Sequence, residues 1–231
     1  FTPNCSRDVR NGLDSLKKIQ PALKGVVLDL RGNPGGLLDE AVNVCNLFID
    51  RGQLVVSTKG KNKEWDKQFR TSNTPWDLEI PLAVLVNHGS ASASEIVAGT
   101  TQDLDRGIVI GTRSFGKGLV QNVRTLGYNT RLKITTAKYY TPSGRCIQAL
   151  DYSHRNEDGS VSSVPDSLKK MFKTKIGRTV YDGGGIEPDV KMEEEELSPL
   201  TLTLLSKNFI FDYATKYYYS HPTIPPPAEF T

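Results

Sequence analysis

Three serines stand at alternate positions in the stretch Asn87-His88-Gly89-Ser90-Ala91-Ser92-Ala93-Ser94-Glu95-Ile96, where an apolar strand pattern gives way to a helical one. A serine at such a junction carries its side chain at the open end of a sheet, beside the unpaired N–H groups of the next helix. That setting suits a nucleophile whose attack leaves a transient oxyanion. The same residues also have a purely structural reading. Ser92-Ala93-Ser94-Glu95 fits the capping box, in which a serine oxygen and a glutamate carboxylate satisfy orphan N–H groups at a helix start. Ser90 and Ser94 have weaker claims, because neither is followed three residues on by an acid. The G-x-S-x-G elbow of the α/β-hydrolases is absent.

A serine nucleophile needs a base. His88 precedes Ser92 by four residues in a tight turn, with no aspartate placed to orient it; His154 and His221 lie in polar stretches. Lysine is the alternative. Ser114-Phe115-Gly116-Lys117-Gly118-Leu119-Val120-Gln121 sets one lysine between two glycines with apolar neighbours. A lysine is a base near neutral pH only where desolvation lowers its pKa from about 10.4. Phe115, Leu119 and Val120 are expected to provide that apolar pocket, the glycines to allow close backbone approach, and Gln121 to hold the neutral amine. Four residues span about 13 Å on a strand but roughly 6 Å across a helical turn, so contact between Lys117 and Gln121 needs a bend near Gly118. The bland reading is an exposed lysine in a glycine turn. A third element is Gly32-Asn33-Pro34-Gly35-Gly36, a strand-to-helix turn whose Gly35 or Gly36 N–H, with that of Ala93, would form a two-donor oxyanion hole if the two turns are neighbours.

The elements that must position these groups follow from periodicity. Helices are expected over 8–20 and 37–49 and from about 92 to 102; Gly25–Leu30, Pro81–Val86 and Gly107–Gly111 read as strands, the first buried on both faces. Two apolar strands, each feeding a turn and a helix, imply an α/β core with much parallel pairing. Leu54–Val56, Leu119–Val123 and Arg131–Tyr140 read as further strands, 59–79 as a loop or hairpin, and 151–180 as a polar surface excursion. Glu193–Glu196 is an acidic run, 199–219 a tyrosine-rich helix, and Pro225-Pro226-Pro227 an extended tail.

Composition narrows the function classes. Among 231 residues, 29 basic against 26 acidic side chains leave a net charge of +3, and no basic run alternates with aromatics, which argues against nucleic acid. Cys5, Cys45 and Cys146 form neither a disulfide framework nor a zinc signature, and Cys45 reads as a buried small hydrophobe. No apolar run approaches the roughly 18 residues of a membrane span. The chain opens Phe1-Thr2-Pro3 and is read as an excised fragment whose targeting segment lies elsewhere.

Leu28-Asp29-Leu30-Arg31-Gly32-Asn33-Pro34-Gly35-Gly36, then Ser90-Ala91-Ser92-Ala93-Ser94-Glu95-Ile96, then Phe115-Gly116-Lys117-Gly118-Leu119-Val120-Gln121, resembles the carboxyl-terminal processing (tail-specific) peptidases. Gly184-Gly185-Ile186-Glu187-Pro188-Asp189-Val190 matches the close of that family's core, so the resemblance runs from about residue 1 to about 190. It implies Ser92 as nucleophile, Lys117 as base, Gln121 as the group positioning the lysine, and an oxyanion hole from Ala93 and either Gly35 or Gly36. It implies an α/β fold, a crotonase/ClpP-like spiral of β-β-α units with a mostly parallel core sheet, and no metal or other cofactor. Residues 1–190 would be the catalytic core and 191–231 an acidic segment, helix and Pro-rich tail. The expected substrates are proteins or peptides with accessible C-terminal tails, cut through an acyl-enzyme. A PDZ domain, which captures tails by β-augmentation, is expected in the parent protein, and oligomers are compatible with the reading. The expected location is extracytoplasmic, in a bacterial periplasm or cell envelope. Two alternatives stay open: a peptide-binding core that does not cut, and a crotonase-like acyl-CoA enzyme.

Overall fold

Parallel pairing of three apolar strands sets the two candidate turns side by side. In the computed structural model, which describes residues 1–193 and 197–230, the chain divides into two units, Phe1–Glu193 and Glu194–Thr231. The first runs α1 (Cys5–Ile19), β1 (Val26–Asp29), α2 (Leu38–Asn46), β2 (Leu54–Gly60), β3 (Lys67–Arg70), β4 (Leu82–Val86), α3 (Ala93–Asp103), β5 (Ile108–Gly111), β6 (Leu119–Thr125) and β7 (Arg131–Tyr140). It continues through β8 (Leu150–Arg155), β9 (Val161–Ser163), β10 (Met171–Lys173), β11 (Thr179–Tyr181) and β12 (Val190–Lys191).

The fold is mixed α/β. One four-stranded sheet, ordered β1-β4-β5-β12, is parallel throughout. Its register pairs Val26 with Leu82 and Asp29 with Leu85, so the strands end together and hand their turns to the same edge. A second four-stranded sheet, ordered β3-β2-β7-β6, is antiparallel. Among the described residues, parallel pairing is thus confined to the first sheet. The run Gly25–Leu30, expected to be buried on both faces, instead alternates along β1 between half-buried and exposed positions. The face of this edge strand that carries Val27 is uncovered among the described residues, and Val27 is 65% exposed.

Helix α3 lies at the centre, with every residue from Ala93 to Asp103 buried. Its small side chains allow neighbours to approach from all round: a Cβ at Gly99 would meet Ile186 Cδ1 at 2.9 Å and Thr141 Cγ2 at 3.0 Å. Cys45, on α2, is buried as expected, and burial pushes its thiol up to about 12. The polar C-terminal turn of α3 is equally enclosed and finds cations, which suit the negative end of a helix. Arg145, 0% exposed, donates from Nη2 to Gln102 Oε1 (2.7 Å) and Asp103 Oδ1 (2.8 Å). Arg178 pairs through Nε with Asp105 (2.6 Å) and donates from Nη2 to the Gln102 carbonyl (3.0 Å). The span 151–180 is therefore more than a surface excursion. It forms the pairs β8–β9 and β10–β11, and its last residues close over the end of α3, with Lys175 N–H donating to the Asp103 carbonyl at 2.8 Å. Strands β9, β10 and β11, of three residues each, are too short to show a period.

In the second unit, the stretch read as one tyrosine-rich helix is two, α4 (Pro199–Ser206) and α5 (Phe209–Ser220). They part at Asn208, whose φ of 56° is left-handed, a conformation asparagine tolerates. Glu194–Glu196, most of the acidic run, lies outside the described residues.

Removing one partner of a buried ion pair leaves the other charge stranded. Arg145→Ala should therefore lower unfolding stability by about 3–5 kcal/mol, measured by urea denaturation. A loss below about 1 kcal/mol would show that Asp103 is solvated without its partner.

Candidate active site

The two turns are stitched together by the flanking serines. Ser90 Oγ donates to the Leu30 carbonyl (2.7 Å) and accepts the Asn87 N–H (2.9 Å). Ser94 Oγ donates to the Asn33 carbonyl (2.9 Å), which also accepts the Ala91 N–H (3.0 Å). Both hydroxyls are committed to the neighbouring turn and both residues are fully buried. Ser92 alone is placed differently. Its backbone sits at φ 58°, ψ −113°, a region a side chain rarely occupies and one that costs on the order of 1–3 kcal/mol. The turn is a strained strand-to-helix elbow without the glycines that usually mark one. Serines occupy the positions two before and two after Ser92, small enough to fit and tied down by their hydroxyls.

Glu95 holds this elbow. Its carboxylate is fully buried and accepts four hydrogen bonds: Oε2 from the N–H groups of Ser92 (2.8 Å) and Lys117 (2.8 Å), Oε1 from Ser114 Oγ (2.6 Å) and the Gly116 N–H (2.7 Å). Burial pushes the Glu95 carboxyl above the usual range, and the donors from Ser114, Lys117, Gly116 and Ser92 pull it back. One oxygen is thus shared by the backbone of the candidate nucleophile and the backbone of the candidate base. Sequence reasoning found the Glu95–Ser92 half of this bridge as a capping box; the half reaching 114–117 carries no sequence period.

The glycines beside Lys117 do allow close approach: Gly116, at φ 85°, packs on Ala149, and Gly118 donates its N–H to Gln148 Oε1 at 2.8 Å. The expected apolar pocket is a different matter. Lys117 is exposed and Phe115 is 56% exposed, so burial does not surround the amine. Gln121 lies on β6, past an irregularity in the β6–β7 pairing, and is exposed as well. Among the described residues, neither the Lys117 amine nor the Gln121 amide has a hydrogen bond. His88 is exposed in the turn that follows β4.

Ser92 Oγ does have a partner. Tyr139 Oη, on β7, lies 3.1 Å away, and Tyr139 is 8% exposed. Desolvation raises its phenol above the ordinary value. Sequence reasoning placed Tyr139 on a strand and gave it no role, because alternation shows a face but not what the face meets.

Gly35 is the point of contact between the turns. A Cβ there would come within 2.6 Å of the Ala91 carbonyl oxygen, 2.8 Å of Ser92 Cβ and 2.9 Å of Ala93 N, and its φ of 97° also favours glycine. The Gly35 N–H donates to Asn33 Oδ1 at 3.0 Å. The N–H groups of Gly36 and Ala93, by contrast, have no hydrogen-bond acceptor among the described residues.

Glu95→Gln keeps the shape of this bridge but turns one acceptor into a donor that faces donors. It should destabilise the protein by about 2–4 kcal/mol, since buried donors left unmet cost about 1–3 kcal/mol each, and should speed amide exchange at Ser92 and Lys117. Native exchange at both amides in the variant would show that the bridge is dispensable.

The peptidase family S41 pattern matches residues 1–153, and the pattern described as "Probable PDZ-protease, C-terminal helical domain" matches residues 200–231. The chain is 47% identical over 152 residues to the carboxy-terminal-processing protease of Bartonella bacilliformis, covering 65% of this chain and 35% of that one. It is 41% identical over 216 residues to a probable CtpA-like serine protease of Staphylococcus epidermidis, covering 92% of this chain and 42% of that one. Among solved structures, the photosystem II D1 C-terminal processing protease matches with a TM-score of 0.63 at 30% identity, over 84% of this chain and 41% of that one. The chain spans less than half the length of these relatives. On the match over residues 1–153, this chain belongs to peptidase family S41.

Proposed function

We propose that the chain is the catalytic core of a serine endopeptidase that cuts proteins or peptides near their C-termini with a Ser92/Lys117 dyad. The observation that carries this reading is the shared Glu95 oxygen, which ties a strained serine elbow to the backbone of a lysine. Neutral Lys117 would take the Ser92 proton as Oγ bonds to the peptide carbonyl carbon. The oxyanion would be received by the Ala93 and Gly36 N–H groups; Gly36 is preferred because the Gly35 N–H is already bound to Asn33. Collapse breaks the C–N bond, and the Lys117 ammonium returns its proton to the leaving amine. Water, deprotonated by Lys117, then releases the acyl group and restores Ser92. Gln121 would steady the amine, and a peptide laid over the site would exclude the water that now surrounds Lys117.

The same strands offer a place for the substrate. A recess of about 310 Å³ has apolar Leu38, Phe69, Val120 and Ala137 and charged Glu64, Lys67 and Arg124 among its lining residues. Ala137 stands two residues before Tyr139 on β7, and Thr58, which pairs with Tyr139, also lines it, so it opens on the face that carries Tyr139. The repeat of strand, turn and helix at 26–46 and 82–103 supports a crotonase/ClpP-like spiral of β-β-α units. The match of residues 200–231 to the C-terminal helical domain of a probable PDZ-protease supports a parent protein that carries a PDZ domain for tails, and the family resemblance supports an extracytoplasmic, periplasmic or envelope location.

A fluorophosphonate probe should label the wild-type protein and leave Ser92→Ala unlabelled, while Lys117→Ala should lose nearly all peptidase activity. Labelling that persists in Ser92→Ala would refute the nucleophile. Absent labelling of the wild type would favour the binding module, and turnover of an acyl-CoA that survives Lys117→Ala would favour the crotonase-like enzyme.

A further inference from the structure

Tyr139 touches the one atom on which the proposed reaction turns, and nothing in the dyad accounts for it. The phenol reaches Ser92 Oγ at 3.1 Å from the interior side of the antiparallel sheet. Its position is fixed from three directions. Thr58 of β2 is its register partner, the Tyr139 N–H donates to the Gly118 carbonyl at 2.9 Å, and the ring is buried in the core. Tyr139 therefore holds Ser92 Oγ by its side chain and, by its backbone, the residue immediately after Lys117.

A phenol is more acidic than an alkyl hydroxyl and is the stronger donor of the two. Building on the Ser92 nucleophile proposed above, we infer that Tyr139 is a catalytic residue whose phenol donates a hydrogen bond to Ser92 Oγ throughout the cycle. As donor it engages an Oγ lone pair and leaves the Ser92 proton free for Lys117. It also meets the negative charge that gathers on Oγ twice: as the proton departs during attack, and again when Oγ leaves the acyl carbon in deacylation. No proton passes to or from Tyr139, which stays neutral because burial holds the phenol above its ordinary range.

The test is Tyr139→Phe in the full-length protein, which keeps the ring and removes the donor. The second-order rate of fluorophosphonate labelling should fall about 10- to 100-fold, kcat on a peptide should fall with it, and KM and the thermal midpoint should stay at wild-type values. A merely structural tyrosine would move the midpoint and KM instead. Labelling of Tyr139→Phe at the wild-type rate would overturn the inference. So would a loss wholly matched by unfolding. As a second variant, 3-fluorotyrosine incorporated at position 139, a stronger donor of nearly the same shape, should label at least as fast as wild type; slower labelling would exclude a donor role. Ser92→Ala separates the two claims, because labelling that survives it refutes the nucleophile, whereas a failure confined to Tyr139→Phe refutes only the donor.

Discussion

A buried carboxylate that accepts four hydrogen bonds is the constraint on which this site depends. Among the described residues Glu95 has no ion-pair partner; its charge is met by the N–H groups of Ser92, Gly116 and Lys117 and by the Ser114 hydroxyl. A carboxylate enclosed this way is stable only while every donor is in place. The dependence runs both ways, because those donors come from two loops far apart in sequence. Forming the carboxylate's shell forms the site. The strain at Ser92 is supported by the same contacts, since the Ser92 N–H that its positive φ presents is one of the four donors.

Helix α3 conveys this constraint to the rest of the fold. Ser92 caps its start and Glu95 stands in its first turn, while its C-terminal end is held by Arg145 and Arg178 through Gln102, Asp103 and, just beyond the helix, Asp105. A helix fixed at both ends and buried along its length has little freedom to tilt, so the elbow is placed by packing on all sides. The parallel register between β1 and β4 then sets Gly35 against Ala91–Ala93, which no loop could do unaided. Against this rigidity stands Lys117, whose backbone is pinned to Glu95 while its amine extends into solvent. The candidate site thus joins a serine fixed on all sides to a lysine held by its backbone alone.

How much of this was legible in the sequence depended on whether the signal was local. The Ser92–Glu95 contact was readable because the capping pattern Ser92-x-x-Glu95 is contiguous, whereas the bonds of the other two hydroxyls to Leu30 and Asn33 cross about 60 positions and left no local signal. Parallel neighbours were readable from two strand-turn-helix repeats. Burial of β1 on both faces was misjudged, since four apolar letters do not say which face a neighbour covers. The second role of Glu95, the contact of Tyr139 and the clamps at Arg145 and Arg178 join residues separated by 19 to 76 positions, which no periodicity records. The break at Asn208 was missed for the opposite reason: one residue in a left-handed conformation interrupts an otherwise continuous helical pattern.

The central claim is that one serine, one lysine and two backbone donors act on the same carbonyl. The most direct test is a crystal structure of the protein with a peptide-like phosphonate on Ser92. The account predicts Lys117 Nζ about 3 Å from Ser92 Oγ and the phosphonyl oxygen about 3 Å from the N–H groups of Ala93 and Gly36. An adduct on Ser92 with Lys117 still in solvent and the phosphonyl oxygen turned away from both N–H groups would contradict it.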